Sequence, residues 1–139
     1  MSKTFTIDQD ILFQHCDPAG IVFYPRFFEM INLTIERWFD KAIGYSFAQM
    51  HVADQTAVPT ASVEATFNAP GKLGEEWQWH LTVERVGRTS VKVRVWGTHD
   101  AQTKVESTMT LVHITKSTGR PIEWSPELKD KMTLYLEKE

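Results

Sequence analysis

Apolar residues alternate with polar ones at the start of the chain. Phe5, Ile7, Ile11 and Phe13 occupy odd positions with mostly polar residues between them, so residues 4–14 are predicted as a strand. The same parity carries His15 and Asp17 to the inner face, provided the strand runs that far. The period then changes. From residue 26 to about residue 43, Glu29, Asn32, Glu36 and Asp40 form a narrow polar stripe, widened by Arg37 and Lys41. Phe27, Phe28, Met30, Ile31, Leu33, Ile35, Trp38 and Phe39 cover most of the remaining circumference. A helix that apolar is largely enclosed by protein. Pro25 suits its first turn and Gly44 its stop. A short helical piece is expected over residues 46–51.

Four strand candidates follow. Val63, Ala65 and Phe67 alternate with polar residues, as do Trp77, Trp79, Leu81 and Val83, and then Val91, Val93 and Val95. Val105, Met109 and Leu111 begin a last strand that continues near Ile114. Breaks lie at Pro70-Gly71, Gly87-Arg88, Asp100-Ala101 and Thr118-Gly119. Strands joined by such short breaks imply an antiparallel sheet. Ser125-Pro126-Glu127 opens a terminal helix, with a cap residue and Pro at the first helical position. The order is strand, buried helix, four strands, helix. It predicts an α+β chain in which one face of the sheet is covered by the apolar helix. A sheet and helix of this size leave apolar surface on the last strand, so self-association is expected.

Composition narrows the function. At 139 residues the chain is read as one domain, residues 1–139, with ordinary hydrophobic (42%) and charged (24%) content. The formal net charge of −3 gives no overall field toward nucleic acid or an anionic membrane, so a phosphorylated ligand needs a local cluster of cations. No segment reads as a signal peptide or a membrane span. The single cysteine, Cys16, rules out an intrachain disulfide and fits a cytoplasmic protein. Five scattered His residues have no metal-ligand spacing, so no metal is expected. Phosphate-loop, dinucleotide and serine-hydrolase motifs are missing from the sequence.

The chemistry concentrates in residues 14–30, Gln-His-Cys-Asp-Pro-Ala-Gly-Ile-Val-Phe-Tyr-Pro-Arg-Phe-Phe-Glu-Met. A strand-like run ends at a carboxylate, Asp17. A Pro-Ala-Gly turn follows, and then the apolar helix. That order sets an acid beside backbone N–H groups at a helix start, where negative charge is favoured. A carboxylate to attack or deprotonate, next to N–H groups that polarise a carbonyl, is the minimum equipment for acyl transfer. By residue type alone, Asp17 before Pro18 is more simply a turn cap. Gly20 allows close backbone approach to a ligand, but a plain helix entry needs it equally.

His15-Cys16-Asp17-Pro18-Ala19-Gly20-Ile21-Val22-Phe23-Tyr24-Pro25, followed by an apolar helix, resembles the signature of the 4-hydroxybenzoyl-CoA thioesterase family in its Pseudomonas-type branch. The resemblance implies a hotdog fold, an antiparallel five-stranded sheet wrapped around a long central helix. It implies hydrolysis of an acyl-CoA, such as an aryl-CoA of the 4-hydroxybenzoyl type, to free CoA and a carboxylic acid. Asp17 is then nucleophile or general base, and the N–H of Tyr24, beside Gly20, serves the oxyanion. Coenzyme A belongs to the substrate, and no separate cofactor is implied. The site would lie between subunits of a homodimer or a homotetramer built as a dimer of dimers.

Other residues are weighed against the same picture. His15 is read as structural or as an orienter of Asp17, and Cys16 as inert packing. Glu29 and Glu64 are reserve carboxylates whose default is solvent exposure. Arg85, Arg88, Lys92 and Arg94 surround the Val-Gly-Arg-Thr-Ser turn; the simplest reading is a solvated strand face. The resemblance carries over Arg88, with Ser90 as companion, to the CoA phosphates. Two rival functions remain: a non-catalytic hotdog that binds acyl-CoA as a sensor or scaffold, and a hydratase or dehydratase. The first could dispense with Asp17, and the second needs a differently placed acid–base pair.

Overall fold

A computed structural model describes residues 2–137. Strand β1 (Phe5–Asp10) leads through a turn to the helix α1 (Pro25–Arg37), which continues in wider turns over Trp38–Ile43. Gly44 ends it at φ 75°, the left-handed stop expected of glycine. A short ladder pairs β2 (Thr56–Ala57) with β7 (Ile114–Thr115). The remaining strands are β3 (Thr60–Phe67), β4 (Glu76–Val86), β5 (Ser90–His99) and β6 (Gln102–Val112). The second helix, α2 (Pro126–Thr133), begins where Ser125 Oγ accepts the Leu128 N–H at 3.1 Å. The five long strands form one antiparallel sheet in the order β1-β4-β5-β6-β3.

The helix lies against one face of this sheet. Phe27, Met30, Ile31, Ile35, Trp38 and Phe39 are buried together with Trp77, Trp79, Leu81 and Val83 of β4 and Val91, Val93 and Val95 of β5. Each such side chain contributes about 1.5–3 kcal/mol on full burial. Gly97 makes room for the tryptophans: a Cβ there would stand 3.0–3.1 Å from Trp77 and Trp79. Gln9 ties strand to helix, its Nε2 donating to the Met30 carbonyl at 2.8 Å and to Thr34 Oγ1 at 3.1 Å. This is the hotdog arrangement that the sequence resemblance implies. Among the described residues, no helix is long and apolar enough to cross a membrane.

Two expectations are corrected. The first strand stops at Asp10 and does not reach residue 14. Beyond it the Ile11 N–H donates to the Glu75 carbonyl at 2.8 Å, and Phe13–His15 form one tight helical turn. Phe13 is therefore 82% exposed instead of facing inward, and strand parity does not extend to His15 and Asp17. The uncovered apolar surface also lies elsewhere than expected. The last long strand is well covered, since Val105, Met109 and Leu111 are buried. The exposed strand is β3, at the sheet edge, where Val63 and Phe67 remain 43% and 41% exposed.

Candidate functional site

Two chain arms build the site. The Phe23 N–H donates to the His15 carbonyl at 2.9 Å and the Asp17 N–H to the Ile21 carbonyl at 2.9 Å, so residues 15–17 and 21–23 run side by side. The Gly20 N–H closes the turn on the Asp17 carbonyl at 3.0 Å, with Gly20 at φ 80°. Pro18 presets the second position of that turn, and glycine at its end accepts the left-handed backbone without a Cβ penalty.

Asp17 does cap its turn. One carboxylate oxygen, Oδ1, accepts the Ala19 N–H at 2.9 Å. Its Oδ2 has no hydrogen-bond donor among the described residues, so the cap leaves half of the group available. Tyr24 precedes α1 without a side-chain cap, and its N–H donates to no acceptor among the described residues. Pro25 has no N–H of its own. The Tyr24 N–H is therefore an open donor at the positive end of a helix that packs on the sheet through one face. Asp17 and Tyr24 stand on the two arms of this hairpin: Asp17 lies opposite Ile21, and Tyr24 follows Phe23, which lies opposite His15.

An aromatic wall flanks the open donor. Phe23 and Tyr24 meet edge to face at 5.8 Å, and Tyr24 meets Phe67 of β3 at 6.2 Å. Phe67 also stacks on Phe27 at 5.6 Å and takes Phe28 at its edge at 6.0 Å. Phe67 thus joins the edge strand to the helix start. By sequence Phe67 reads only as a strand residue; an aromatic at a strand end is its one signal.

The hairpin rests on the loop between β3 and β4. The Val22 N–H donates to the Gly71 carbonyl, the Leu73 N–H to the Gly20 carbonyl and the Gly74 N–H to the Ile11 carbonyl, at 2.8, 3.0 and 3.0 Å. Gly71 sits so close that a Cβ would stand 2.9 Å from Val22 and 3.1 Å from Trp77. Glu75 closes this loop, its Oε1 accepting the Lys72 N–H at 2.8 Å and Trp77 Nε1–H at 3.1 Å. Burial alone would raise the Glu75 carboxyl, but these two N–H groups, with His99 and Lys104 nearby, hold it below the usual carboxylate range.

The neighbouring candidates take the simpler roles. His15 Nδ1 accepts the Leu12 N–H at 2.8 Å, and no hydrogen bond joins its ring to Asp17. Burial lowers its pKa, with Glu29 opposing and Arg26 assisting, which favours the neutral ring that this bond requires. Cys16 Sγ lies 3.5 Å from the Leu12 carbonyl, and burial followed by the Asp17 charge pushes its thiol pKa up, away from a reactive thiolate. Glu29 pairs with Arg26 at 2.8 Å in solvent. Glu64 is exposed beside Arg94 and Glu106 on the sheet's other face.

Arg88 and Ser90 lie elsewhere. They belong to the turn from β4 to β5, at the far end of an eleven-residue strand, roughly 35 Å from the end that carries the Asp17 hairpin. Arg88 is exposed and approaches Glu123 only at 3.9 Å. The Ser90 carbonyl accepts Trp124 Nε1–H at 3.0 Å and the Gly87 N–H at 2.8 Å. Lys92 and Arg94 both pair with Glu84, at 3.3 and 2.7 Å, and Arg94 also pairs with Glu137 at 2.8 Å. One chain brings His15, Asp17, Gly20 and Tyr24 together and leaves the cations of the turn apart from them.

Known proteins share this architecture. A family model described as the thioesterase-like superfamily matches residues 11–132. A 1,4-dihydroxy-2-naphthoyl-CoA thioesterase from Synechocystis superposes with a TM-score of 0.85 at 18% identity, covering 94% of this chain and 96% of its own. The dynemicin thioesterase, crystallised in a study of polyene binding, gives 0.88 at 16% identity, covering 99% of this chain and 100% of its own. A thioesterase superfamily protein from Jannaschia gives 0.86 at 19% identity, covering 97% and 94%. At these identities the structural likenesses establish the fold. No curated protein sequence matches the chain.

Proposed function

Because the chain belongs to the thioesterase-like superfamily, and is on that ground a thioester hydrolase, we propose that it is a single-domain acyl-CoA thioesterase of the 4-hydroxybenzoyl-CoA type. The observation that carries this reading is the open Tyr24 N–H at the start of α1, on the same hairpin as a carboxylate with one free oxygen. The thioester oxygen accepts the Tyr24 N–H, with Gly20 allowing the approach. The Asp17 carboxylate then attacks the carbonyl carbon or takes a proton from the water that does. The tetrahedral oxyanion gains from the N–H and the helix end, and collapses with loss of the CoA thiolate, which takes up a proton. On the direct route, water then cleaves the acyl–Asp17 anhydride to the acid and free enzyme. Coenzyme A leaves as product, and the scheme needs no other cofactor.

The aromatic wall of Tyr24, Phe28 and Phe67 favours a flat, unsaturated acyl group such as an aryl. Two structurally similar thioesterases are described with a dihydroxynaphthoyl-CoA and a polyene, which agrees with that preference.

The second half of the cleft comes from another copy. Edge strand β3 has an unpaired side and exposed apolar residues. Antiparallel pairing of two β3 edges about a two-fold axis sets the partner's β3 start beside Phe67. An apolar groove of about 280 Å³ lined by Phe47, His51, Val58 and Pro59 adjoins that start. It would close over the acyl group, and the partner's Arg88 and Ser90 end would approach the CoA phosphates. A homodimer, or a dimer of dimers, is the working enzyme, and the cytoplasm its compartment.

The test is a screen of aryl, short-chain and long-chain acyl-CoAs for thiol release. Turnover strongest with aryl substrates is expected. Binding without thiol release would show a sensor instead of an enzyme.

A further inference from the structure

Glu75 occupies an unusual place for a loop carboxylate. Its side chain is only 21% exposed, yet it neighbours no substrate-facing group directly. Instead it ties together three pieces of chain. Oε1 holds the Lys72 N–H and the Trp77 indole; Oε2 stands 3.4 Å from His99 Nε2, whose other ring nitrogen lies 3.0 Å from the Glu76 carbonyl. The loop so closed makes the contacts that seat the Asp17 hairpin, through Ile11, Gly20 and Val22. Trp77, fixed by the same carboxylate, stacks on Phe27 at 5.4 Å in the first turn of α1. One carboxylate therefore braces both the turn that carries Asp17 and the helix start that carries the Tyr24 N–H.

The geometry points to Glu75 as a positioning residue for thioester hydrolysis. It rests on the assignment of Asp17 and Tyr24 made above. Glu75 touches no reacting atom; it sets the separation of acid and oxyanion donor, on which acyl transfer depends steeply. A brace of this kind acts on kcat, because substrate is held mainly by acyl and CoA contacts away from the loop. Its action needs an acceptor oxygen at the right reach more than it needs a charge.

Glu75→Gln keeps an amide oxygen for the Lys72 and Trp77 donors and retains most of the turnover. Glu75→Ala lowers kcat roughly tenfold to a hundredfold, while KM stays within about twofold. Amide exchange at Val22, Leu73 and Gly74 quickens in the alanine variant and returns to parental rates in the glutamine variant. Should Glu75→Ala fail to fold, Glu75→Asp serves, since it keeps the charge and withdraws the carboxylate by one methylene; it follows the alanine pattern. Parental kcat in Glu75→Ala, or a loss that falls on KM alone, overturns the positioning role. So does a Glu75→Gln variant as slow as the alanine one. The exchange readout does not depend on turnover. A parental protein inert on every acyl-CoA, with the exchange pattern intact, refutes the assigned reaction and leaves the brace standing as a structural one.

Discussion

The two ends of the sheet are built on opposite principles. At the Asp17 end the backbone is tied down, through paired arms 15–17 and 21–23 and the loop at Gly71–Glu75, while two polar groups find no partner among the described residues: Asp17 Oδ2 and the Tyr24 N–H. At the Arg88 end the side chains are tied to one another instead. Glu84 takes Lys92 and Arg94, Glu137 takes Arg94 again, and Trp124 holds the turn through the Ser90 carbonyl. Of that basic group, Arg88 keeps only a long contact, in solvent. A rigid frame around unsatisfied groups suits chemistry, and a partly neutralised cluster, with Arg88 loose beside an exposed Arg85, suits weak phosphate holding. The two ends lie roughly 35 Å apart along an extended β4, so the proposed reading has one substrate meet both across two copies of the chain.

The sharpest break in this comparison is Asp17→Asn. The amide keeps the Ala19 contact through its oxygen but can neither attack nor accept a proton. Steady-state assays should show kcat down about 100- to 10,000-fold, with KM and melting temperature nearly parental. Near-parental kcat would remove Asp17 from the mechanism and leave only its capping role.

Next in size is the edge that would join two copies. Val63→Lys places a charge on the exposed inner side of β3, opposite Met109. Sedimentation at micromolar concentration should show the parental chain as at least a dimer and the variant shifted to monomer, with activity lost alongside mass. A fully active monomer would refute the shared cleft.

Much of the Asp17 end was legible because its information is local. The Asp-Pro-Ala-Gly turn, Pro25 and the apolar stripe of α1 are consecutive, and each has a physical preference for its place. The strand breaks were legible for the same reason: Pro70-Gly71, Gly87-Arg88 and Asp100-Ala101 all fall between strands. Strand parity past Asp10 misled, because a strand continues only while a partner is present; after the Ile11 N–H reaches the Glu75 carbonyl, the Leu12 N–H is taken by His15 Nδ1 and the chain turns away. Glu75 itself was unreadable. Nothing in Gly-Glu-Glu-Trp says that one carboxylate will face Lys72 and Trp77 while its neighbour faces solvent. The pairing of Arg94 with Glu137 was hidden likewise, since Glu137 arrives from the far end of the chain.

A smaller effect is expected from the loose cation. Arg88→Ala should raise KM for an acyl-CoA several-fold, on the order of a lost exposed charge contact, and leave KM for the matching acyl-pantetheine unchanged. Equal effects on the two substrates would show that Arg88 does not meet the nucleotide.

The smallest effect separates the two ends by pH. Burial alone would raise the Glu137 carboxyl, but the Thr82 hydroxyl and the Arg94 guanidinium outweigh it and hold it below the ordinary range. A carboxyl lowered in the folded state contributes stability that is complete above its unfolded pKa and is lost as pH falls through the folded value. Glu137 also anchors the terminal segment, its N–H donating to the Val83 carbonyl at 2.8 Å where β1 no longer covers β4. Glu137→Gln keeps that backbone bond and removes the titration. It should cost about 1 kcal/mol at neutral pH, given a partly exposed pair, and nearly nothing once the parental carboxyl is protonated. Denaturant midpoints measured from neutral to acid pH should therefore converge for the two proteins, while kcat stays parental. Curves that remain parallel into acid would mean that the Arg94–Glu137 pair adds no stability, and that the Arg88 end is held by Trp124 and the sheet alone.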